Sequence, residues 1–354
     1  MRGSRWDVWM VAAAVLAAAL LLPGSARAAL VLRTADPITA FAHDGSLIAY
    51  DTRPGACRFD RKQTSFGVRN IDTGRRWTIP DKGGCVARIA VGTSQVIWNA
   101  PATSARSTTW TTTYGEIFPQ PMRAFDGRQG LGAIPLGLAS DGPVLVESWM
   151  RRDYRDRNAC LSGGDCTRLV TGGGVEQISG YGRAGISGTR PAVSVAVNGT
   201  LVALLPVVIG SVAQQPYDTD PIEVRDVQSG ALRATVSPPG TVISMAMGGG
   251  RLAVLVKLVS GAKQIRVYDP QTGALVVSHD VASDVAAALD VSIAGVLYRR
   301  GAELRLASLH AARQRSVATL SRTPRFISIE GTTIVYVIDG TSAGAIRRLA
   351  APAV

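Results

Sequence analysis

From residue 38 onward, apolar and polar residues alternate in short runs, and the runs come in pairs joined by a tight turn. "ITAFAHDGSLIAY" (38–50), "ARIAVGTSQVIW" (87–98), "IPLGLASDGPVLVES" (134–148) and "AVSVAVNGTLVAL" (192–204) share this layout. "VISMAMGGGRLAVLV" (242–256), "VAAALDVSIAGVLY" (285–298) and "RFISIEGTTIVYVI" (325–338) bring the set to seven copies. Period-two alternation with β-branched residues predicts strands. The turn glycines, Gly45, Gly92, Gly142, Gly199, Gly249, Gly295 and Gly331, fall 36 to 57 residues apart.

A second, less apolar hairpin follows some of these units. It reads "VRNIDTGRRWTI" (68–79), "VRDVQSGALRAT" (224–235) and "VYDPQTGALVVS" (267–278). Its glycine supplies the positive φ of a tight turn, and the Asp or Asn four residues earlier bonds the turn backbone.

Two hairpins in a repeat of about 45 residues are what a β-propeller requires. The more apolar hairpin is then the inner strand pair A–B of a four-stranded blade, and the second is the outer pair C–D. We expect an all-β chain: a single β-propeller domain over residues 29–354, with seven blades. The pattern leaves six or eight blades, or a pair of β-sandwiches, as alternatives. The last repeat lacks an outer strand, while "ALVLRT" (29–34) is a spare strand ahead of the first repeat. That strand is expected to complete the last blade and so remove an exposed edge.

Residues 1–28 follow a different pattern. Arg2 and Arg5 precede a 15-residue apolar run from Val8 to Leu22, followed by Pro23, Gly24 and the small-residue site Ala26-Arg27-Ala28. This is the layout of a secretory signal peptide cleaved after Ala28. A membrane span needs about 20 apolar residues, and this run is shorter. The expected location is therefore secreted or otherwise extracytoplasmic.

Export changes how charge and cysteine are read. The net charge is +12, falling to +10 without the leader's three Arg and one Asp, and only four of the 38 basic residues are Lys. A basic exported protein is suited to anionic envelope polymers. No block of Lys and Arg and no groove-reading motif points to nucleic acid. Four cysteines in an exported chain read as two disulfides, Cys57–Cys85 and Cys160–Cys166. The first pair follows strand B of one blade and enters the next on the same face. The second closes a small ring within one loop. Gaps of 27, 74 and 5 residues do not match a zinc site.

Short motifs carry a resemblance. "FAHDGSLIAYDTR" (41–53) resembles the Ser-Pro-Asp-Gly-x-x-Ile-Ala-Phe signature of TolB-like propellers. The turns Asp226–Gly230 and Asp269–Gly273 resemble repeats of quinoprotein-type and WD-repeat-like propellers. The sole Trp-Asp dipeptide, Trp6-Asp7, lies in the leader, and a Trp after the turn survives only at Trp77. The resemblance implies the fold and carries over no cofactor site.

No nucleophile elbow, metalloprotease motif, phosphate loop or dinucleotide fingerprint occurs, so no catalytic residue, metal or cofactor is assigned. The glycine clusters read as turns. Asp218 and Asp220 have oxygen-ligand spacing without the rest of a calcium loop. His43 reads as a solvated or locally bonded side chain beside a turn, and His279 and His310 as outer-strand or loop residues. Asp290 and Glu330, at inner-strand ends, read as turn formers, and Asn198-Gly199-Thr200 as a hairpin turn rather than a sequon.

Binding is expected on the face carrying the B–C and D–A connections, which are long in the first four repeats. Its candidate residues are Arg53, Arg58, Trp149, Arg151, Arg152, Tyr154 and Arg155, with Trp149 ending a strand and the rest on loops. The function read from the sequence is a monomeric, non-catalytic binding or scaffolding module for a protein or an anionic envelope polymer. The alternative is a propeller-type hydrolase or lyase with its site at the channel mouth. A quinone- or calcium-binding propeller is a weaker reading.

Overall fold

The structure, a computed structural model, describes residues 28–52, 66–78, 86, 88–93, 95–101, 107–113, 120–122, 133–154, 158, 162–164, 168–179, 182–207, 221–340 and 343–354. Residues 1–27, Arg53, Arg58, Arg155, Asp218, Asp220 and all four cysteines lie outside the described residues. Among the described residues, no helix is long and apolar enough to cross a membrane.

The chain opens with β1 (Ala29–Thr34). The first sheet is β2 (Ile38–Asp44), β3 (Leu47–Thr52), β4 (Phe66–Asn70) and β5 (Arg76–Thr78). The second is β6 (Arg88–Val91), β7 (Gln95–Pro101), β8 (Ser107–Thr113) and β9 (Gln120–Met122). The third is β10 (Ala133–Asp141), β11 (Val144–Tyr154), β12 (Arg168–Ser179) and β13 (Gly182–Gly185). The fourth is β14 (Ala192–Asn198), β15 (Leu201–Pro206), β16 (Ile222–Asp226) and β17 (Leu232–Val236). The fifth is β18 (Thr241–Gly248), β19 (Arg251–Lys257), β20 (Lys263–Tyr268) and β21 (Leu275–Val281). The sixth is β22 (Val285–Ser292), β23 (Gly295–Arg300), β24 (Glu303–Ala307) and β25 (Gln314–Thr319). The last is β26 (Phe326–Glu330), β27 (Thr333–Asp339) and β28 (Gly344–Ala350), with β1 added outside β28.

These sheets form a β-propeller. The first strand of each sheet packs on the first strand of the next, in the order β2, β6, β10, β14, β18, β22, β26 and back to β2. The more apolar hairpin is thus innermost. The second strand of a sheet is covered on both faces, and β15, "LVALLP", is buried throughout. A separate apolar cluster fills the space between neighbouring sheets. Ala49, Val68, Val91 and Trp98 join the first two sheets. Leu297, Leu306, Ile334 and Tyr336 join the last two. Five of the inner hairpins share a bulge near the start of their first strand, for example between Ile38 and Ala40 and between Val242 and Ser244. A bulge increases local twist, which suits strands crowded round a channel.

The repeated outer turn has one geometry in three sheets. The Oδ1 atoms of Asn70, Asp226 and Asp269 each accept two backbone N–H groups, from residues two and three positions on, at 2.8–3.1 Å. The glycines that follow, Gly74, Gly230 and Gly273, sit at φ of 75°, 72° and 73°. Two of them also touch the preceding sheet. A Cβ on Gly273 would meet the Thr235 carbonyl oxygen at 2.8 Å, and one on Gly230 the Ser187 carbonyl oxygen at 2.7 Å. The recurring Asp-x-x-Ser/Thr-Gly therefore makes a hairpin and seats one blade on its neighbour.

Ring closure combines strand pairing, an apolar cluster of Leu32, Ile38, Val335 and Ile346, and polar ties. β1 pairs antiparallel with β28, from Ala29↔Arg348 to Thr34↔Gly344. The Gly344 amide donates to Thr34 Oγ1 at 3.2 Å. The Ile38 amide donates to Asp339 Oδ1 at 3.0 Å, tying the last sheet to the first.

Gly45 separates the two demands made on a turn glycine: its φ is 57°, and a Cβ there would meet nothing within 4 Å. We expect Gly45→Ala to cost only the backbone term, about 1 kcal/mol. Gly273→Ala adds the clash with Thr235 and should cost about 2–3 kcal/mol. Chemical denaturation of the two variants checks the difference.

Candidate functional site at the channel mouth

Three of the inner strands end in acids. Asp44, Asp141 and Glu330 are the last residues of β2, β10 and β26, each directly before a turn glycine. Asp44 is bonded by the Gly142 amide on the third sheet, which draws it towards Asp141. Asp141 Oδ2 accepts from Asn198 Nδ2 at 3.0 Å and from the Gly199 amide. Burial, followed by repulsion from Asp141, raises the Asp44 carboxyl to about 6. Burial, then the charges of Asp44 and Asp141, raise Glu330 to about 7.

Below this rim, a cavity of about 180 Å³ is lined by β2, β6, β10 and β26. Its walls are mixed. Phe41 and Phe326 lie 6.0 Å apart, tilted at 34°. The polar lining groups are already engaged: Ser140 Oγ donates to the Val91 carbonyl at 2.7 Å. His43 Nε2 is 3.0 Å from the Gly45 carbonyl, and its Nδ1 is 3.2 Å from Ser328 Oγ. Ser328 Oγ in turn lies 2.7 Å from Asp290 Oδ2. Burial lowers the His43 imidazole to about 4 and raises the Asp290 carboxyl.

Histidine, serine and aspartate in one chain invite comparison with a nucleophilic triad. The order differs. A triad needs the carboxylate on the far side of the imidazole from the hydroxyl. Here the hydroxyl stands in the middle and is bonded on both sides. This arrangement joins the sheets of β2, β22 and β26. Among the described residues, no group of three or more His, Cys, Asp or Glu is placed to hold a metal ion.

Several sequence expectations need correction. Asp290 is not a turn former: it lies within β22, and its carboxyl also accepts the amides of Val291 at 2.9 Å and Ile329 at 2.8 Å. His43 is bonded across to another sheet, not only locally. Trp149 does not end a strand, and Arg151, Arg152 and Tyr154 are not on a loop, because β11 runs on to Tyr154. Those charged positions are held in a ladder with β12, where Arg152 faces Val170 and Tyr154 faces Arg168. Arg151 to Tyr154 do not alternate with apolar residues in the sequence, so the hydrophobic pattern gave no sign of the extension. The other expectations for histidine hold: His279 is on the outer strand β21 with Nε2 2.8 Å from the Ser308 carbonyl, and His310 is in an exposed loop. The Asn198-Gly199 pair is the β14–β15 turn, with Gly199 at φ 58°.

Searches against protein-family models and against curated proteins find no match. Solved structures do match. Sqt1 of Saccharomyces cerevisiae is 7% identical, with 92% of this chain and 100% of that chain covered at a TM-score of 0.50. An uncharacterized protein from Listeria monocytogenes EGD-e is 11% identical, covering 88% and 92% at 0.50. A chain of a mitotic checkpoint complex is 13% identical, covering 92% and 94% at 0.50. At these identities the likeness concerns the fold alone: an all-β propeller, similar to WD-repeat-like structures.

The rim makes stability depend on pH. The Glu330 carboxyl is raised from 4.5 to about 7, so its contribution is present below 4.5 and lost as pH rises through 7. Its side chain is exposed at the mouth, where solvent screens the repulsion, so the loss should be about 1 kcal/mol. We expect Glu330→Gln to flatten the fall in melting temperature between pH 5 and about 8. Parallel melting curves of wild type and variant measure it.

Proposed function

We propose that this ring of seven blades is an extracytoplasmic, monomeric, non-catalytic binding module. Its partner is a protein or an anionic envelope polymer, met on the face carrying the B–C and D–A connections. One observation carries the reading. β11 and β12 are 11 and 12 residues long, while β15, β16, β19 and β20 in the next two sheets have five to seven. Among the described residues, β10 pairs with β11 as far as Arg151, and β12 continues alongside Arg152, Asp153 and Tyr154. We read the far ends of β11 and β12 as an arm on that face bearing Arg151, Arg152, Tyr154 and Arg168. Rigid ribbons with Arg and Tyr are effective recognition elements. The polar groups of the channel, by contrast, are spent on joining blades. Arg53, Arg58 and Arg155 belong to the same proposed face, and the leader supports export. Disulfides Cys57–Cys85 and Cys160–Cys166 would staple connections on this side. The TolB-like motif of residues 41–53 fits such a role.

The test is a triple variant, Arg151, Arg152 and Arg155 to Ala, assayed on immobilised heparin as a defined polyanion and by pull-down from the native envelope. Binding to the polyanion should weaken about tenfold, roughly 1.4 kcal/mol, with a shallower salt dependence. Unchanged affinity and salt dependence in a folded variant would remove the arm from the interface. Peptide mapping of the exported protein should find Ala29 at the N-terminus and both disulfides. An intact Met1 in membranes would refute export by cleavage.

A second reading, a hydrolase or lyase at the channel mouth, is favoured by one feature: Glu330 keeps its proton to near neutral pH beside Asp44 and Asp141, as a general acid must. Turnover of envelope glycans that is abolished by Glu330→Gln would replace the binding reading.

A further inference from the structure

The bonds joining His43, Ser328 and Asp290 fix a number of protons. The Gly45 carbonyl can only accept, so His43 Nε2, at 3.0 Å, carries a hydrogen. Ser328 has one hydroxyl hydrogen for two contacts, His43 Nδ1 at 3.2 Å and Asp290 Oδ2 at 2.7 Å. If the hydroxyl donates to Nδ1, the imidazole is neutral, and Oδ2 must be protonated to donate to Oγ. If it donates to Oδ2 instead, Nδ1 must carry a hydrogen, giving an imidazolium and a carboxylate. A neutral imidazole with an ionised carboxylate leaves one contact without a hydrogen. All three bonds therefore require one proton more than that pair holds in water at neutral pH.

The surroundings choose between the two arrangements. Asp290 is half-buried between β22 and β26, and its other bonds are the Val291 and Ile329 amides, with no cation among its partners in the described residues. Asp44 adjoins His43 on β2, and the charge that acts on the imidazole from another element is Asp72 in the β4–β5 turn, which favours the imidazolium. Asp72 is itself paired with Arg348 at 2.8 Å. Separating charge across a buried hydroxyl is costly, and a neutral pair avoids that cost. Burial also acts in the same sense on both groups.

We propose that Asp290 is a protonated, neutral acid in the folded protein, donating through Ser328 to a neutral Nε2–H tautomer of His43, and that this proton links the closing of the ring to pH. The chain of bonds spans β22, β26 and β2, the sheets on either side of the seam where the two chain ends meet. In the unfolded chain the two groups titrate near 3.8 and 6.5. Between those values folded and unfolded chains both hold one proton, on Asp290 when folded and on His43 when unfolded, and the network adds no pH dependence. Above 6.5 only the folded chain keeps its proton. Folding then takes up one proton, and stability falls as pH rises until Asp290 ionises in the folded state.

Two measurements on the full chain test this. The first is ¹⁵N NMR of histidine-labelled protein, which has three histidines. His43 should show the neutral Nε2–H tautomer throughout pH 5 to about 8. An Nδ1–H tautomer or an imidazolium in that range overturns the proposal. The second is denaturation of wild type and Asp290→Asn from pH 7 to about 9. The amide can donate to Ser328 but cannot titrate. The wild-type unfolding constant should rise up to tenfold per pH unit more steeply than the variant's. Equal slopes overturn the proposal. The variant forgoes the Ile329 amide bond, and if that prevents folding, the carboxyl ¹³C shift of Asp290 in the wild type decides: a protonated carboxyl at about pH 7 is expected, and an ionised one overturns the proposal.

Discussion

The fold depends on one seam. Each of the other sheets is built from a continuous stretch of chain and packs on its neighbours through apolar side chains. The last sheet has only three strands of its own, and β1 supplies the fourth from the other end of the sequence. Without that pairing β28 would be an open edge, with unpaired backbone groups ready to recruit another chain. The seam is held by backbone pairing, by Thr34 against Gly344, and by Asp339 reaching the Ile38 amide. Gly344 has no room for a side chain: a Cβ there would stand 2.8 Å from Thr34 Oγ1 and 2.9 Å from Ile38 Cγ1. The order of the sheets around the ring follows from satisfying this one join.

Closing the ring crowds the inner strands, and crowding decides what their side chains do. At the channel wall, small residues such as Ala42 and Ala90 alternate with bulkier ones. The polar groups there are shared between sheets rather than left facing the channel. Ser140 bonds to Val91, Asp141 to Asn198 and Gly199, and Ser292 Oγ donates to the Gly331 carbonyl at 2.7 Å. A buried polar group without a partner costs about 1–3 kcal/mol, so each bond across a blade boundary also opposes a slip of one blade on the next. The inner end of the molecule is thereby acidic, with many of its polar groups tied across blade boundaries.

Much of this was legible in the sequence, because repeats report geometry. Period-two runs located the inner hairpins, and the Asp-x-x-Ser/Thr-Gly turn located three outer ones; both readings needed only neighbours along the chain. The spare strand at 29–34 was legible from counting. The acid rim was also written out, as "AHDG", "ASDG" and "SIEG" at the ends of three inner strands. Its convergence was not, since it arises from inner strands far apart in sequence meeting at one mouth. Asp290 was misread for a related reason. An acid two residues before a turn resembles a turn former, and only the approach of β26 reveals Ser328 and the Ile329 amide waiting for it. The arm of β11 and β12 failed differently: its strands carry Arg, Asp and Gly, whose pattern says loop, and the ladder that holds them is a property of the pair.

The two ends of the propeller are therefore shaped by different constraints. At the A–B end the turns are short, since a tight turn must hand each inner strand directly to its neighbour, and some of their glycines, such as Gly92 and Gly249, press on adjacent sheets while Gly45 does not. Gly248 shows how little space remains, with the Val291 carbonyl oxygen 2.0 Å from where a Cβ would stand. Change there is limited by ring geometry. At the opposite end the second and third strands of a sheet can lengthen together without disturbing the channel, as β11 and β12 do out to Tyr154 and Arg168. Length, charge and aromatic content can vary on that side at little cost to the ring, so a surface adapted to a partner has room to form there. The basic arm over an otherwise compact scaffold is what that freedom permits.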